Sequence, residues 1–341
     1  MEKTKQKTKY YVSKEARDLH HSSFVADLHA DTLLADRLFR YDMLKRHKPR
    51  LPLSPFFNHV DIPRMVEGSV SLQVFGIVSN YWMAKKWTAE RKVRRLHEII
   101  KKSHELEWAL SGTEAEKVWK KGRIGAFLGM EGVHPLKGRI ENLTWFYERG
   151  VRYASLTHFN NTEAAYSSTF PWDKGRGLTS FGRELIATMN EMGMIVDLAH
   201  INYAGFFEAV ECSKSQVIVS HTTIKSLCNH PRAIDDEQIK AVAEKGGVMG
   251  IMFSPLFLSK KIIVGAERII DHIDKVKEVA GIDYVALGSD FDGFIHLPRG
   301  LKDVSDLPVL TQLMLDRGYC EKDIRKVLGL NFLRVYQKVC G

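Results

Sequence analysis

Short apolar runs recur along the chain, and each turns polar at its last residues before a helical pattern begins. Eight of these runs read as strands: Phe24–Asp31, Val70–Val78, Ile124–Glu131, Val151–His158, Ile195–His200, Val217–His221, Val248–Phe253 and Tyr284–Asp290. Near-continuous apolar character is the mark of strands buried on both faces. Between several of them the apolar period lengthens to that of a helix. Thr179–Met192 is periodic and closes at Gly193, a C-cap residue type. Asp235 opens another helix, with Gln238 three positions on as a capping-box partner and Gly246 at its end. Ala266–Ala280 forms a third and stops at Gly281. Alternating strand and helix implies a parallel sheet in the α/β class. Eight such units imply closure into a (β/α)8 TIM barrel.

The remaining segments fit around that barrel as one domain spanning 1–341. Residues 1–23 form an N-terminal extension, and 302–341 a helical tail in which Glu321–Val339 covers the barrel. Two connections, Thr32–Ser69 and Ser79–Arg123, exceed ordinary βα loops and predict extra helices or a lid. Within the second, Ala89–Glu107 reads as an amphipathic helix. Val93, Leu96, Ile99 and Ile100 face inward; Arg91, Lys92, Arg95, Lys101 and Lys102 face outward.

Composition narrows the class. Hydrophobic residues at 44% and charged residues at 27% are those of a globular chain, and no apolar run nears the ~20 residues a membrane helix needs. Met1–Lys14 is Lys-rich with no apolar stretch behind it, and Leu333–Gly341 is too short for a lipid-anchor signal. No membrane anchor and a cytoplasmic location are the resulting expectations. Cys212, Cys228, Cys320 and Cys340 lack C-x-x-C spacing and read as free thiols. The net charge of +9 raises nucleic-acid binding, but a solvated basic surface accounts for it. No nucleic-acid partner is expected.

The strand ends carry the chemistry. His29-Ala-Asp31 ends the first strand, Glu131 the third, His158 the fourth, His200 the fifth, His221 the sixth and Asp290 the eighth. In a barrel of this type all these ends share one face, where active sites lie. Singly, each is an ordinary polar residue at a strand end. His29 and Asp31, at i and i+2, share a face and can reach one ion together. Imidazoles with carboxylates and no thiolate favour zinc. Glu131 is placed to bridge two ions, with His29 and Asp31 on one and His200 and His221 on the other. Such a pair stabilises a bridging hydroxide at neutral pH. No G-x-S-x-G elbow, no P-loop and no G-x-G-x-x-G after the first strand supplies a rival chemistry. Asp27, about 6.6 Å deeper on the strand face of His29, reads as a residue orienting a ligand, and Asp292 likewise. His134 reads as a pocket-lining histidine.

Six motifs in order resemble the membrane (renal) dipeptidase family of the amidohydrolase superfamily. They are Asp27-Leu-His29-Ala-Asp31, Gly129-Met-Glu131-Gly, Arg152-Tyr-Ala-Ser-Leu-Thr-His158, Asp197-Leu-Ala-His200, Ser220-His221 and Gly288-Ser-Asp290-Phe-Asp292-Gly293. The resemblance runs from about Phe24 to Tyr336. It implies two zinc ions, one on His29, Asp31 and Glu131, the other on Glu131, His200 and His221. It further implies that His158 steadies the oxyanion and that Arg232, in His230-Pro-Arg232, pairs with a substrate carboxylate. Asp290 would move the proton from water to the leaving amine. Dipeptides, including L-Xaa-D-Xaa, are the implied substrates and a homodimer the implied assembly. The stretch Phe253-Ser-Pro255-Leu-Phe257 lacks a tyrosine found near there in animal members, so side-chain preference stays open. Two other readings remain. One is a different binuclear hydrolase, acting on an N-acyl amino acid, lactone or phosphoester; Asp31 and Glu131 stand where many such relatives use a second His and a carboxylated lysine. The other is an inactive barrel that binds a partner.

Overall fold

The computed structural model describes residues 10–48, 54–79, 86–169, 175–261 and 263–341. Eight parallel strands close on themselves: β1 (Ala26–Ala30), β2 (Leu72–Val78), β3 (Ile124–Glu131), β4 (Val151–Ser155), β5 (Ile195–Asp197), β6 (Val217–Ile224), β7 (Val248–Ile251) and β8 (Val285–Leu287). β2 pairs with β3 from Leu72↔Gly125 to Val78↔Glu131, and β8 returns to β1 at Leu287↔Asp27. Two short additions flank the ring: Leu106–Trp108 on the start of β3, and Ala233–Ile234 on the end of β6. The expected TIM barrel is therefore the fold.

Two apolar clusters hold it. One lies between the strands and the surrounding helices. The other takes a side chain from every barrel strand: Leu28, Val74, Phe127, Tyr153, Ile195, Ile218, Val248 and Ala286. Phe332, Val335 and Tyr336 from the C-terminal helix Asn331–Cys340 join it. Phe127 stacks on Tyr336 at 4.7 Å between ring centroids, and the Tyr336 hydroxyl donates to Ala109 O at 2.7 Å. The tail thus seals the end of the barrel opposite the site. Burying a ring such as Phe332 contributes about 2–3 kcal/mol.

The helix reading holds in outline. Thr179 caps Ser180–Glu191, Asp235 and Gln238 form the capping box of Asp236–Glu244, and Glu267–Ala280 follows. Both long connections carry helices: Thr32–Phe39 and Ile62–Glu67 in the first, Lys86–Lys102 and Gly112–Lys120 in the second.

Four expectations need correction. The tail helix is not continuous: Glu321–Arg325 passes through a widened turn at Lys326–Leu330 before Asn331–Cys340. A Cβ at Gly329 would meet Phe24 O at 2.4 Å, so the chain runs too close to β1 for any other residue there. Second, His158, His200 and Asp290 lie beyond the ends of β4, β5 and β8, not inside them. Third, Asp31 has also left its strand, at φ −94° and ψ 26°, so the i, i+2 strand period does not bring it beside His29. Fourth, Lys92 is not outward; it is buried. By helical period, position 92 falls on the stripe of Ala89, Leu96 and Ile99, and its charge masked that.

Candidate metal centre

Local backbone irregularities aim the site. The β1–β2 ladder shifts register between Asp27 and Ala30, and the β6–β7 ladder between Val219 and Thr222. His29 and His221 lie in those two shifts, which re-aim side chains relative to a regular pleat. His200, Asp290 and Asp292 adopt left-handed φ values of 68°, 62° and 63°. Such conformations cost of order 1–3 kcal/mol each in non-glycine residues and cluster at functional sites.

Hydrogen bonds then fix the imidazoles. His158 Nδ1 faces Ser79 O at 2.9 Å, and a carbonyl only accepts, so Nδ1 carries the proton. Tyr153 Oη donates to Leu28 O, so it accepts from His29 Nδ1 at 2.8 Å. Ser220 Oγ donates to Asp197 Oδ2, so it accepts from His221 Nδ1 at 2.9 Å. Each of the three rings therefore turns a bare Nε2 toward the centre, the form that ligates metals. A Cβ at Gly129 would lie 2.1 Å from the Tyr153 ring; glycine there lets the tyrosine reach His29. Gly76 plays the same part beneath Asp31, whose Oδ1 would be 2.3 Å from an added Cβ.

Glu131 joins two groups of donors. Its Oε1 is 2.9 Å from His200 Nε2, 3.3 Å from His221 Nε2 and 3.5 Å from His158 Nε2. Its Oε2 is 3.6 Å from His29 Nε2, which lies 3.5 Å from Asp31 Oδ1. His200 Nε2 and His221 Nε2 stand 3.0 Å apart. His29 Nε2, Asp31 Oδ1 and Glu131 Oε2 are buried with no hydrogen-bond partner. Converging lone pairs of buried groups are costly unless a cation satisfies them. The residues present therefore fit a pair of divalent ions: His29, Asp31 and Glu131 on one side, Glu131, His200 and His221 on the other. Asp290 groups with His29 and His221, and His158 with Glu131 and His200, each set with its ligand atoms within 4.8 Å of one another.

The electrostatics agree. Burial alone would raise the Glu131 carboxyl, but His158, His29, His200 and His221 outweigh it and hold it well below the usual carboxylate range. Burial opposes charge on His29, yet Tyr153, Glu131 and Asp31 draw it up well above 6.5. The centre thus attracts positive charge. Burial, with Arg232 nearby, keeps His200 and His221 far below 6.5 and neutral. Asp290 is pushed well up by burial and by Asp31 and Glu131, against His29 and Arg232.

Arg232 is buried: it is 4% exposed, and Nη2 donates to His221 O at 3.2 Å. It lines a cavity of about 350 Å³ together with His200, Asn202 and Tyr203. Asp27 does not touch a ligand ring. It accepts from Ser289 N at 2.8 Å, Ser289 Oγ at 2.6 Å and the His29 amide at 3.3 Å. Asp292 accepts from the His59 amide and from Thr32 Oγ1, both at 2.7 Å, and so meets Asp31 through neighbours: Thr32, and Phe291, whose carbonyl accepts from the Asp31 amide at 2.7 Å. His134 Nδ1 is 3.4 Å from Ser79 Oγ, outside the donor groups.

Sequence reasoning missed Asp197, Tyr153, Ser79, Ser220 and Ser289. Asp197 repeats the role of Asp27, accepting from Ser220 N and Oγ just as Asp27 accepts from Ser289. Each pair fixes the serine that precedes a site residue, His221 or Asp290. The signal was present as Asp-Leu on two strands and Ser before His or Asp on their neighbours.

Fold and centre together define a (β/α)8 barrel with a buried cluster of imidazoles and carboxylates, able to hold metal, at the C-terminal ends of its strands. The chain belongs to the membrane dipeptidase family (peptidase family M19), whose sequence profile matches residues 13–340. A curated relative, dipeptidase aclJ of Aspergillus oryzae, is 39% identical over 216 residues, 63% of this chain and 51% of its own. The chain thus matches about half the length of that relative. Among solved structures, a metallopeptidase from Rhodobacter sphaeroides bound to a phosphinate mimic of L-Ala-D-Ala superposes with a TM-score of 0.84 at 24% identity, covering 93% of this chain and all of that one. The probable dipeptidase PvdM of Pseudomonas aeruginosa gives 0.86 at 20% identity, covering 96% and 98%. Both likenesses speak to the fold. Among the described residues no helix is long and apolar enough to cross a membrane.

Proposed function

We propose that this protein is a zinc-dependent dipeptidase that holds two ions and cleaves short substrates with a free C-terminal carboxylate, L-Xaa-D-Xaa dipeptides among them. The observation that carries the reading is the division of Glu131's two oxygens between two separate donor groups. The dipeptide comes from the family and from the fungal relative's name. When bound, the two ions would polarise the scissile carbonyl and lower the pKa of the attacking water toward neutrality.

The chain's own residues supply the rest. Arg232, buried beside the cavity, offers a guanidinium fork that matches a terminal carboxylate in two parallel bonds. His158, its Nδ1 proton committed to Ser79, faces the site through Nε2 and would steady the developing oxyanion as a donor once that nitrogen takes up a proton, which the Glu131 carboxylate favours and burial opposes. A well-placed group at that oxygen is typically worth about 3 kcal/mol of barrier. Asp290 takes a proton from water as the C–O bond forms and returns it to the amine nitrogen as the C–N bond breaks. A carboxylate within reach of the attacking water is a competent general base.

Metal analysis combined with a screen of L,L and L,D dipeptides tests the reading. Two zinc ions per chain and release of free amino acids, abolished by chelator and restored by zinc, are expected. Zinc-loaded protein that releases no amino acid from any dipeptide would remove the substrate class while leaving the centre intact.

A further inference from the structure

Lys92 belongs to the helix Lys86–Lys102 outside β2, yet it is only 3% exposed. Its ammonium donates to Val78 O at 2.6 Å. Burial draws its pKa down to about 8, against the pull of Asp31 and Glu131. Hiding an ammonium behind a single carbonyl is costly, so this placement needs a cause beyond packing.

The cause lies one residue on. Ser79 N donates to Glu131 O at 3.0 Å, and Ser79 Oγ lies 2.9 Å from Glu131 O and 2.6 Å from Gly132 O. The Ser79 carbonyl accepts from His158 Nδ1. Two successive carbonyls at the end of β2 are therefore gripped from opposite sides, Val78 by Lys92 from the helix and Ser79 by His158 from the site. We infer that Lys92 is a positioning residue, which pins the Val78 carbonyl so that Ser79 orients His158. Methionine at 92 would keep the stem and lose the donor. The Val78–Ser79 turn would then loosen where His158 depends on it.

The inference rests on the dipeptidase reading for its kinetic test and on spectroscopy apart from it. On one dipeptide, zinc-loaded K92M should keep its metal content and fold, hold KM, and lose roughly 10- to 100-fold in kcat, the range for groups that orient ligands. K92R should recover most of that loss. In a His158→Ala background K92M should cost no further kcat, because the residue it positions is gone. Unchanged kcat in K92M, or an equal loss in the His158→Ala background, overturns the assignment. If K92M does not fold, K92L, which likewise removes the donor, is read the same way. A wild type that turns over no dipeptide sinks the activity alone. The His158 Nδ1–H proton resonance then decides: a shift or faster exchange in the Lys92 variant supports the role, and an unmoved signal ends it.

Discussion

The two ends of this barrel are built on opposite principles. At the sealed end every strand contributes an apolar side chain, and Phe332 and Tyr336 close the space with stacked rings 5.7 Å apart. At the open end His200, Asp290 and Asp292 sit in left-handed backbone, two ladders slip register, and buried acceptors face one another without partners. Stability is gathered at one end, and strain is tolerated at the other because the closed ring of strands connects them. Substitutions at the two ends should therefore fail in different ways: loss of metal and turnover above, loss of folding free energy below.

The largest effect should come from Glu131. Glutamine offers one carbonyl oxygen and turns an amide donor toward the other donor group, so it cannot serve both. Glu131→Gln should lose turnover to background and at least one ion per chain, while its unfolding midpoint without metal stays close to wild type. Elemental analysis beside dipeptide turnover reads both. A Glu131→Gln protein that keeps two ions and its activity would break the comparison at its centre. Next in size is Asp290→Asn, which should retain metal and fold yet drop kcat by about 10²–10⁴, the usual worth of a general base. Equal loss of metal and turnover there would make Asp290 a ligand and not a proton carrier.

The sealed end should respond in the other currency. Phe332→Ala removes a ring stacked on Phe127 and Tyr336 and should cost about 3–5 kcal/mol in denaturant unfolding. Below the transition, kcat per folded molecule should not change. A fall in kcat without a fall in stability would show that the two ends are coupled.

This division also explains what the sequence made legible. Strand count, parallel order and barrel closure follow from apolar period, which reports burial directly, and the sealed end is nothing but burial. The residues of the centre were legible because their types recur at strand ends. Their geometry was not. Nothing in a one-letter code announces left-handed φ at His200 or Asp290, because those residues hold it only under tertiary constraint. Asp31 reaches the site from a turn, and periodicity wrongly kept it in β1. Lys92 was misassigned because charge was weighed above its place on the apolar stripe. Tyr153 looks like core, and its hydroxyl gains meaning only once Gly129 lets it touch His29.

Not every polar group near the open end serves chemistry, and His272 separates the two kinds. Its Nδ1 accepts from the Ile224 amide at 2.9 Å, and its Nε2 faces Leu258 O at 3.0 Å and must donate. Both nitrogens are committed, so only the neutral ring fits. Burial pulls its pKa from 6.5 to about 4. The unfolded chain therefore takes up a proton below about pH 6.5 that the folded chain refuses until about pH 4. Stability contributed by the neutral ring falls as pH drops through that window and is intact above it. Moving from pH 7 to pH 5 should cost about 2 kcal/mol for such a group. His20, buried and likewise lowered to about 4, adds a second share. Urea midpoints across this range should fall with acid in the wild type, and His272→Gln should flatten the slope by about one proton's worth without touching kcat. If instead His272→Gln changes turnover and leaves the slope alone, the line drawn between structural and chemical polar groups at this end is in the wrong place.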